Sequence, residues 1–157
     1  MVLHVRDCCC CYYIINLNNN IKEKDNEISF LKSKISSLRN TIDYWKDKFE
    51  KENYQVLDYP KEIDKSSFID VYPNVYKEFF EKITETNILF IMNEDKNNIE
   101  GYIGAETFAE LTFGLSQNLL YGKNIELLIL KMPAENVSCY NEIKLWLELG
   151  WIKIYNK

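Results

Sequence analysis

The sequence predicts an α/β fold with a parallel sheet, and three observations lead to that prediction. From about residue 54 to the end of the chain, short apolar runs alternate with amphipathic stretches, which is typical of parallel sheets with crossover helices. The run "NILFIMN" (87–93) is apolar almost throughout, as in a strand buried on both faces. Residues 21–52 carry a long apolar repeat that predicts an N-terminal amphipathic helix. We therefore expect a Rossmann-like or flavodoxin-like five-stranded parallel sheet in the order 2-1-3-4-5, with flanking helices.

The N-terminal part of the chain contains two predicted elements. Residues 1–20 form an extension with one strand at about 9–17, because this run is rich in Tyr and Ile. Residues 21–52 have the 3-4 apolar spacing of a long amphipathic helix or coiled coil, about 48 Å in length. Either its N-terminal half projects and pairs with a partner, or one helix packs on the sheet and is preceded by a loose segment. Its apolar positions are Ile21, Ile28, Leu31, Ile35, Leu38, Ile42, Trp45 and Phe49.

Residues 53–157 form the predicted α/β core, which makes one domain together with the long helix. Pro73 suits the first turn of a helix, while Gly122 and Gly150 suit helix C-termini. In sheets of this class, ligands bind beyond the carboxyl ends of the strands at the switch point of the strand order. The expected strands are 54–60, 87–93, 124–133 and 151–156, and the expected helices are 72–86, 105–122 and 136–150.

Composition narrows the classes of function. The chain has 157 residues and a net charge of −5, whereas proteins that bind phosphate backbones are usually basic. We therefore expect a small-molecule or protein partner rather than nucleic acid. Four cysteines are consecutive, Cys8 to Cys11, and lack the spacing of a zinc site. They suggest a reduced, buried segment of a cytoplasmic protein, and their apolar run is too short to span a membrane.

The central question of function is the role of Glu110 in the predicted helix 105–122. Helical periodicity gives this helix an apolar stripe and places Glu110 on the opposite side, where a carboxylate is ordinarily solvated. The alternative is a catalytic carboxylate that faces a ligand cleft near the positive N-terminus of the helix. The predicted stripe contains Phe108, Leu111, Leu115 and Leu119, and the opposite side contains Glu106, Glu110, Phe113 and Gln117.

The stretch "NILFIMNEDKNNIEGYIGAETFAELTFGLSQN" (87–118) resembles the nucleoside 2-deoxyribosyltransferase family and its short relatives. The likeness extends over about residues 54–157. In that family a buried strand ends in a polar residue, and a loop leads to a helix of the type Gly-Thr-x-x-Glu-x-Gly-x-Ala. The helix pattern falls here on Glu106, Thr107, Glu110, Thr112 and Gly114.

The resemblance implies a catalytic role for Glu110, as the nucleophile that attacks the anomeric carbon and displaces the base. It implies no metal and no cofactor. The substrate-binding residues that it implies are Asp58, Tyr59, Asn93, Gly104, Glu106 and Thr107.

This sequence departs from the family pattern in several places. Glu106 and Thr112 replace glycines, and Asn93 replaces an aspartate. No glycine-containing loop follows a first strand. Either residues 21–52 are a helix and that loop is lost, or the first strand lies near 28–36 and is followed by "ISSLRN" (35–40).

The expected function is cleavage or transfer of the N-glycosidic bond of a nucleoside or nucleotide. A non-catalytic module of the same fold is the alternative, which binds a nucleotide-like ligand or self-associates through residues 21–52. A helical interaction protein is a third interpretation. Two further alternatives concern single segments: Asp58 and Tyr59 form either a binding site or a strand-end turn, and residues 93–98 form either a lid or a solvated loop.

Overall fold

The structure, a computed structural model, describes residues 2–4, 21–59 and 67–156. The chain divides into two compact units, one of Met1–Asp7 with Gln55–Lys157 and the other of Cys8–Tyr54. The predicted strand at 9–17 lies outside the described residues.

In the unit Cys8–Tyr54, the described residues 21–54 form one long helix, α1 (Ile21–Lys51), and the prediction of a long helix is confirmed. Since this helix includes residues 28–36, the alternative of a first strand at that position is wrong. Near its C-terminal end the indole of Trp45 stacks on the ring of Phe49 at 5.7 Å, and both side chains are buried.

The other unit is built on a parallel sheet whose strand order follows the chain, β1-β2-β3-β4. The prediction of five strands in the order 2-1-3-4-5 is wrong. Three strands lie in the C-terminal region, joined by a short strand near the N-terminus, and residues 54–57, predicted as part of a strand, have no regular structure. The strands are β1 (Val2–His4), β2 (Ile88–Ile91), β3 (Glu126–Ile129) and β4 (Lys153–Ile154).

Three helices precede or connect the C-terminal strands: α2 (Phe68–Glu85), α3 (Ala105–Tyr121) and α4 (Tyr140–Glu148). They lie side by side. The rings of Phe80 in α2 and Phe113 in α3 are 4.6 Å apart, and Phe108 in α3 stacks on Trp146 in α4 at 5.3 Å. Helix α2 begins four residues before its predicted start, so that Pro73 lies inside the helix and not in its first turn. Helix α3 is therefore the central helix of the three.

The hydrophobic core lies between these helices and the sheet. Leu89 and Ile91 of β2 belong to the same buried cluster as the apolar residues of α3 and β3. The intervening Phe90 is also fully buried, and its ring contacts the ring of Tyr155 at 5.3 Å. Because successive side chains of a strand point to opposite faces, β2 is buried on both sides, as its apolar sequence predicts.

Candidate functional site

Helix α3 carries the central residues of the candidate site. Gly104 is its N-cap, in an extended conformation, and the Gly104 carbonyl accepts a hydrogen bond from the amide of Phe108 at 2.9 Å. Since β2 precedes this helix, its N-terminus lies toward the carboxyl edge of the sheet. The exposed amides of a helix N-terminus favour anions. Gly104 and Thr107, both predicted substrate-binding residues, are thus placed at this end of α3, with Thr107 buried.

Glu110 is fully buried, with 0% of its surface exposed. It shares the buried side of α3 with Thr107, Leu111 and Gly114. At Gly114 this side contacts β2 and β3 closely, because an added Cβ would lie 3.0 Å from the side chains of Leu89 and Leu127. The interpretation of Glu110 as a solvated surface carboxylate is therefore wrong.

Glu106 lies one helical turn before Glu110 and is half-buried. Its carboxylate accepts a hydrogen bond from the hydroxyl of Tyr72 in α2. On a helix, the Cβ atoms of residues four apart are about 5–6 Å apart, so the two glutamates are neighbours. The α2–α3 junction thus brings together two carboxylates and one phenol.

A row of aromatic rings extends along α2 beside this pair of glutamates. The residues are spaced by four, and neighbouring rings lie 4.6–5.5 Å apart, as is favourable for aromatic pairs. The row crosses to α3 at Phe113. We call it the aromatic row; it consists of Phe68, Tyr72, Tyr76, Phe80 and Phe113. Our sequence analysis missed Tyr72, although aromatic residues repeated at i, i+4 would have indicated it.

Asn93 lies at the carboxyl end of β2, as predicted, but backbone groups use its amide fully. Its Nδ2 donates to the carbonyls of Gly101 (3.0 Å) and Lys131 (2.8 Å). Its Oδ1 accepts from the amides of Leu130 (2.9 Å) and Lys131 (3.2 Å). An amide offers two donor hydrogens and about two acceptor positions. Asn93 therefore joins the ends of β2 and β3 to the loop before α3.

That loop, residues 92–104, is held by further polar contacts. Asp95 accepts a hydrogen bond from the amide of Gly101 (3.0 Å) and forms an ion pair with Lys131 (2.9 Å). These two contacts, that from Gly101 being the larger, lower the pKa of the Asp95 carboxyl, and Asp95 raises the pKa of Lys131. Asn97 and Asn98 turn the chain with positive φ angles of 52° and 62°, a conformation that Asn tolerates. The contacts of Asp95 hold the segment 93–98 against Gly101 and Lys131.

Asp58 and Tyr59 lie away from the two glutamates. The buried Asp58 carboxylate accepts hydrogen bonds from Lys82 (3.0 Å) and from the amide of Tyr59 (2.9 Å). Lys82 is ten residues beyond Tyr72 in α2, which is about 15 Å along the helix axis. The structure therefore brings Glu106, Thr107 and Glu110 together on α3 but places Asp58 toward the other end of α2.

Comparisons with protein-family models, curated proteins and solved structures give no match for this chain. Within residues 2–4, 21–59 and 67–156, no group of three or more His, Cys, Asp or Glu side chains could hold a metal ion. None of the described helices is long and apolar enough to cross a membrane.

Proposed function

We propose that this chain cleaves or transfers the N-glycosidic bond of a nucleoside or nucleotide, with Glu110 as the nucleophile. The observation that carries the proposal is the complete burial of Glu110 next to the Glu106–Tyr72 hydrogen bond. Glutamate is almost never fully buried unless its charge is compensated, since the loss of hydration is costly. A glutamate held inside the α2–α3 junction at this cost, one helical turn from a second glutamate, is therefore a candidate for chemistry.

The proposed reaction has two steps. The Glu110 carboxylate attacks the anomeric carbon, and the electron pair of the C–N bond leaves with the base, which takes up a proton from water. Water or an acceptor base then attacks the same carbon, the ester C–O bond breaks to release the Glu110 carboxylate, and the attacking group gives up a proton to water. The transition state carries positive charge on the sugar, which the carboxylates of Glu106 and Glu110 stabilise electrostatically. The hydroxyl of Tyr72 holds Glu106 in place.

Two further features support this location. The sequential order of the described strands has no switch point, but the N-terminal end of α3, whose amides favour an anion such as a 5′-phosphate, lies toward the carboxyl end of β2. The half-buried rings of Phe68 and Tyr72 provide an apolar surface beside Glu106. The proposal therefore assigns substrate contacts to Gly104, Glu106 and Thr107. Asn93 supports the loop. Asp58 is bound by Lys82 toward the other end of α2, so the proposal assigns no contact with the reacting atoms to Asp58 or Tyr59.

We place this reaction in the cytoplasm. Cys139 is a buried free thiol, and reduced cysteines are the rule in cytosolic proteins.

The test is incubation of the purified chain with 2′-deoxynucleosides and their 5′-monophosphates, with and without free adenine or cytosine. Chromatography follows released base and newly formed nucleoside. Glu110→Gln preserves the volume of the side chain and removes the nucleophile, so it should abolish turnover. Glu142→Gln makes the same change at an exposed position of α4 and should leave turnover intact. No turnover by folded wild-type protein would favour the non-catalytic module.

A further inference from the structure

The apolar seam of α1 changes in exposure along the helix. Ile28 and Ile35 are 43% and 38% exposed, whereas Trp45 and Phe49, later in the same seam, are buried. Every residue between 28 and 40 for which the structure describes burial is exposed. The first half of the seam thus leaves large aliphatic groups in water, which is unfavourable by about 25 cal/mol per Å² of apolar surface.

We infer that residues 21–42 of α1 pair with the same segment of a second copy of this chain as a parallel two-stranded coiled coil. The residue types at the seam select this occupant. In the heptad abcdefg, Ile occupies all four a positions of the segment, and Leu occupies two of its three d positions, the first being Lys24. Ile at a with Leu at d favours parallel dimers over higher oligomers. The a positions are Ile21, Ile28, Ile35 and Ile42, and the two d positions with Leu are Leu31 and Leu38.

The polar residues at the b, f, e and g positions of α1 fit a coiled coil with one face in water and one face against the partner helix. The b and f positions between 26 and 40 are Ser or Asn, as expected for the side facing water. In a parallel dimer, a g residue faces the e residue of the next heptad in the partner helix. Glu27 at g then faces Lys32 at e of the second copy, which is a pair of opposite charge. Lys34 at g faces Arg39 at e, a pair of like charge that weakens the dimer and makes it reversible.

The first experiment measures the mass of the full chain in solution by sedimentation equilibrium over a range of concentrations. The wild type should show a monomer–dimer equilibrium. Ile35→Lys places two ammonium groups opposite each other in the seam and should give monomer at every concentration tested. Ser36→Lys adds the same charge at a b position and should still dimerise. Circular dichroism of both variants confirms that the helix remains folded.

The second experiment tests the parallel register. Lys34→Glu converts two like-charge contacts with Arg39 into two attractive ones. At about 0.5 kcal/mol for each contact, the dissociation constant should fall roughly fivefold. The fall should diminish at high salt because exposed charges are screened.

Three outcomes overturn the inference. A wild-type chain that remains monomeric at high concentration excludes self-pairing. A dimer that survives Ile35→Lys has its interface elsewhere, for which the exposed Leu119, Leu120 and Tyr121 at the end of α3 are the first place to look. A dimer that Lys34→Glu weakens is not parallel. Because no step depends on Glu110, inactivity toward nucleosides leaves this inference unaffected.

Discussion

Replacement of Asn93 by aspartate should destabilise the fold severely, although the two side chains have nearly the same shape. The Asn93 side chain is 2% exposed and donates two hydrogen bonds to the carbonyls of Gly101 and Lys131. A carboxylate cannot donate, so both carbonyls would lose a partner and face a negative charge. Each buried group left unsatisfied costs about 1–3 kcal/mol. We expect the free energy of unfolding to fall by about 3–5 kcal/mol, a large share of the 5–15 kcal/mol typical of a domain.

The assay is urea unfolding followed by circular dichroism, with Asn98→Asp as the matched control. Asn98 undergoes the same chemical change at an exposed turn position with positive φ, where Asp is also tolerated. The control should stay within about 0.5 kcal/mol of the wild type. Equal stabilities of the two variants would refute the role assigned to Asn93.

The pH dependence of the Asn93→Asp variant gives a second check. Burial and the two carbonyls disfavour the charged form more than the amides of Leu130 and Lys131, which donate to the other oxygen, favour it. We therefore expect the pKa of the new carboxyl to be higher in the folded than in the unfolded chain. The loss in free energy of unfolding relative to the wild type should therefore be smallest below the unfolded pKa of about 3.9. It should grow as the pH rises through the folded pKa. A loss in free energy of unfolding that becomes smaller with rising pH would contradict this reasoning.

Three other predictions concern single side chains. Gly122→Ala should cost about 1–2 kcal/mol from its φ of 65° alone. Gly101→Ala should cost more, because a backbone carbonyl would lie 2.7 Å from its added Cβ, and equal losses in urea unfolding would exclude this steric effect. Lys82→Met removes the ion-pair partner of the buried Asp58 and should lower the free energy of unfolding by about 1–2 kcal/mol. If Lys82→Met lowers it equally in an Asp58→Asn background, the ion pair is not the cause. Burial raises the pKa of Cys139 to about 11. Peptide mapping after alkylation at pH 8 should therefore find this thiol unmodified in the folded chain and modified in the unfolded chain. Equal labelling of the two would argue against burial of the thiol.

Local patterns in the sequence predicted the elements but not their arrangement. The heptad spacing predicted α1, the apolar run predicted β2, and Gly122 marked the end of α3 in a left-handed conformation. Strand order depends on contacts between distant residues, which no local pattern contains. The segment 54–59 is rich in residue types common in strands, yet its Asp58 is bound by Lys82 and residues 54–57 join no strand.

The candidate site shows why a single apolar stripe was misleading for α3. The stripe assumes that a helix has one covered side, whereas α3 is covered on three. The sheet covers Gly114, α2 covers Phe113 and α4 covers Phe108. Glu110 lies between the first two and is therefore buried, while Leu119, in the predicted stripe, is exposed. The position of Glu110 depended on the neighbouring helices, which the sequence of α3 alone does not specify.

The sequential strand order also has a consequence for how the chain folds. Leu128 pairs with Lys153 and Ile88 with Glu126, positions 25 and 38 residues apart, with one helix closing each loop. Val2 pairs with Leu89, 87 positions later. Closing the longer loop of this last pairing costs about 0.7 kcal/mol more in entropy than closing the loop between β2 and β3. Only three residues of β1 take part in the pairing. The sheet should therefore assemble from its C-terminal strands, and β1 should pair with them last.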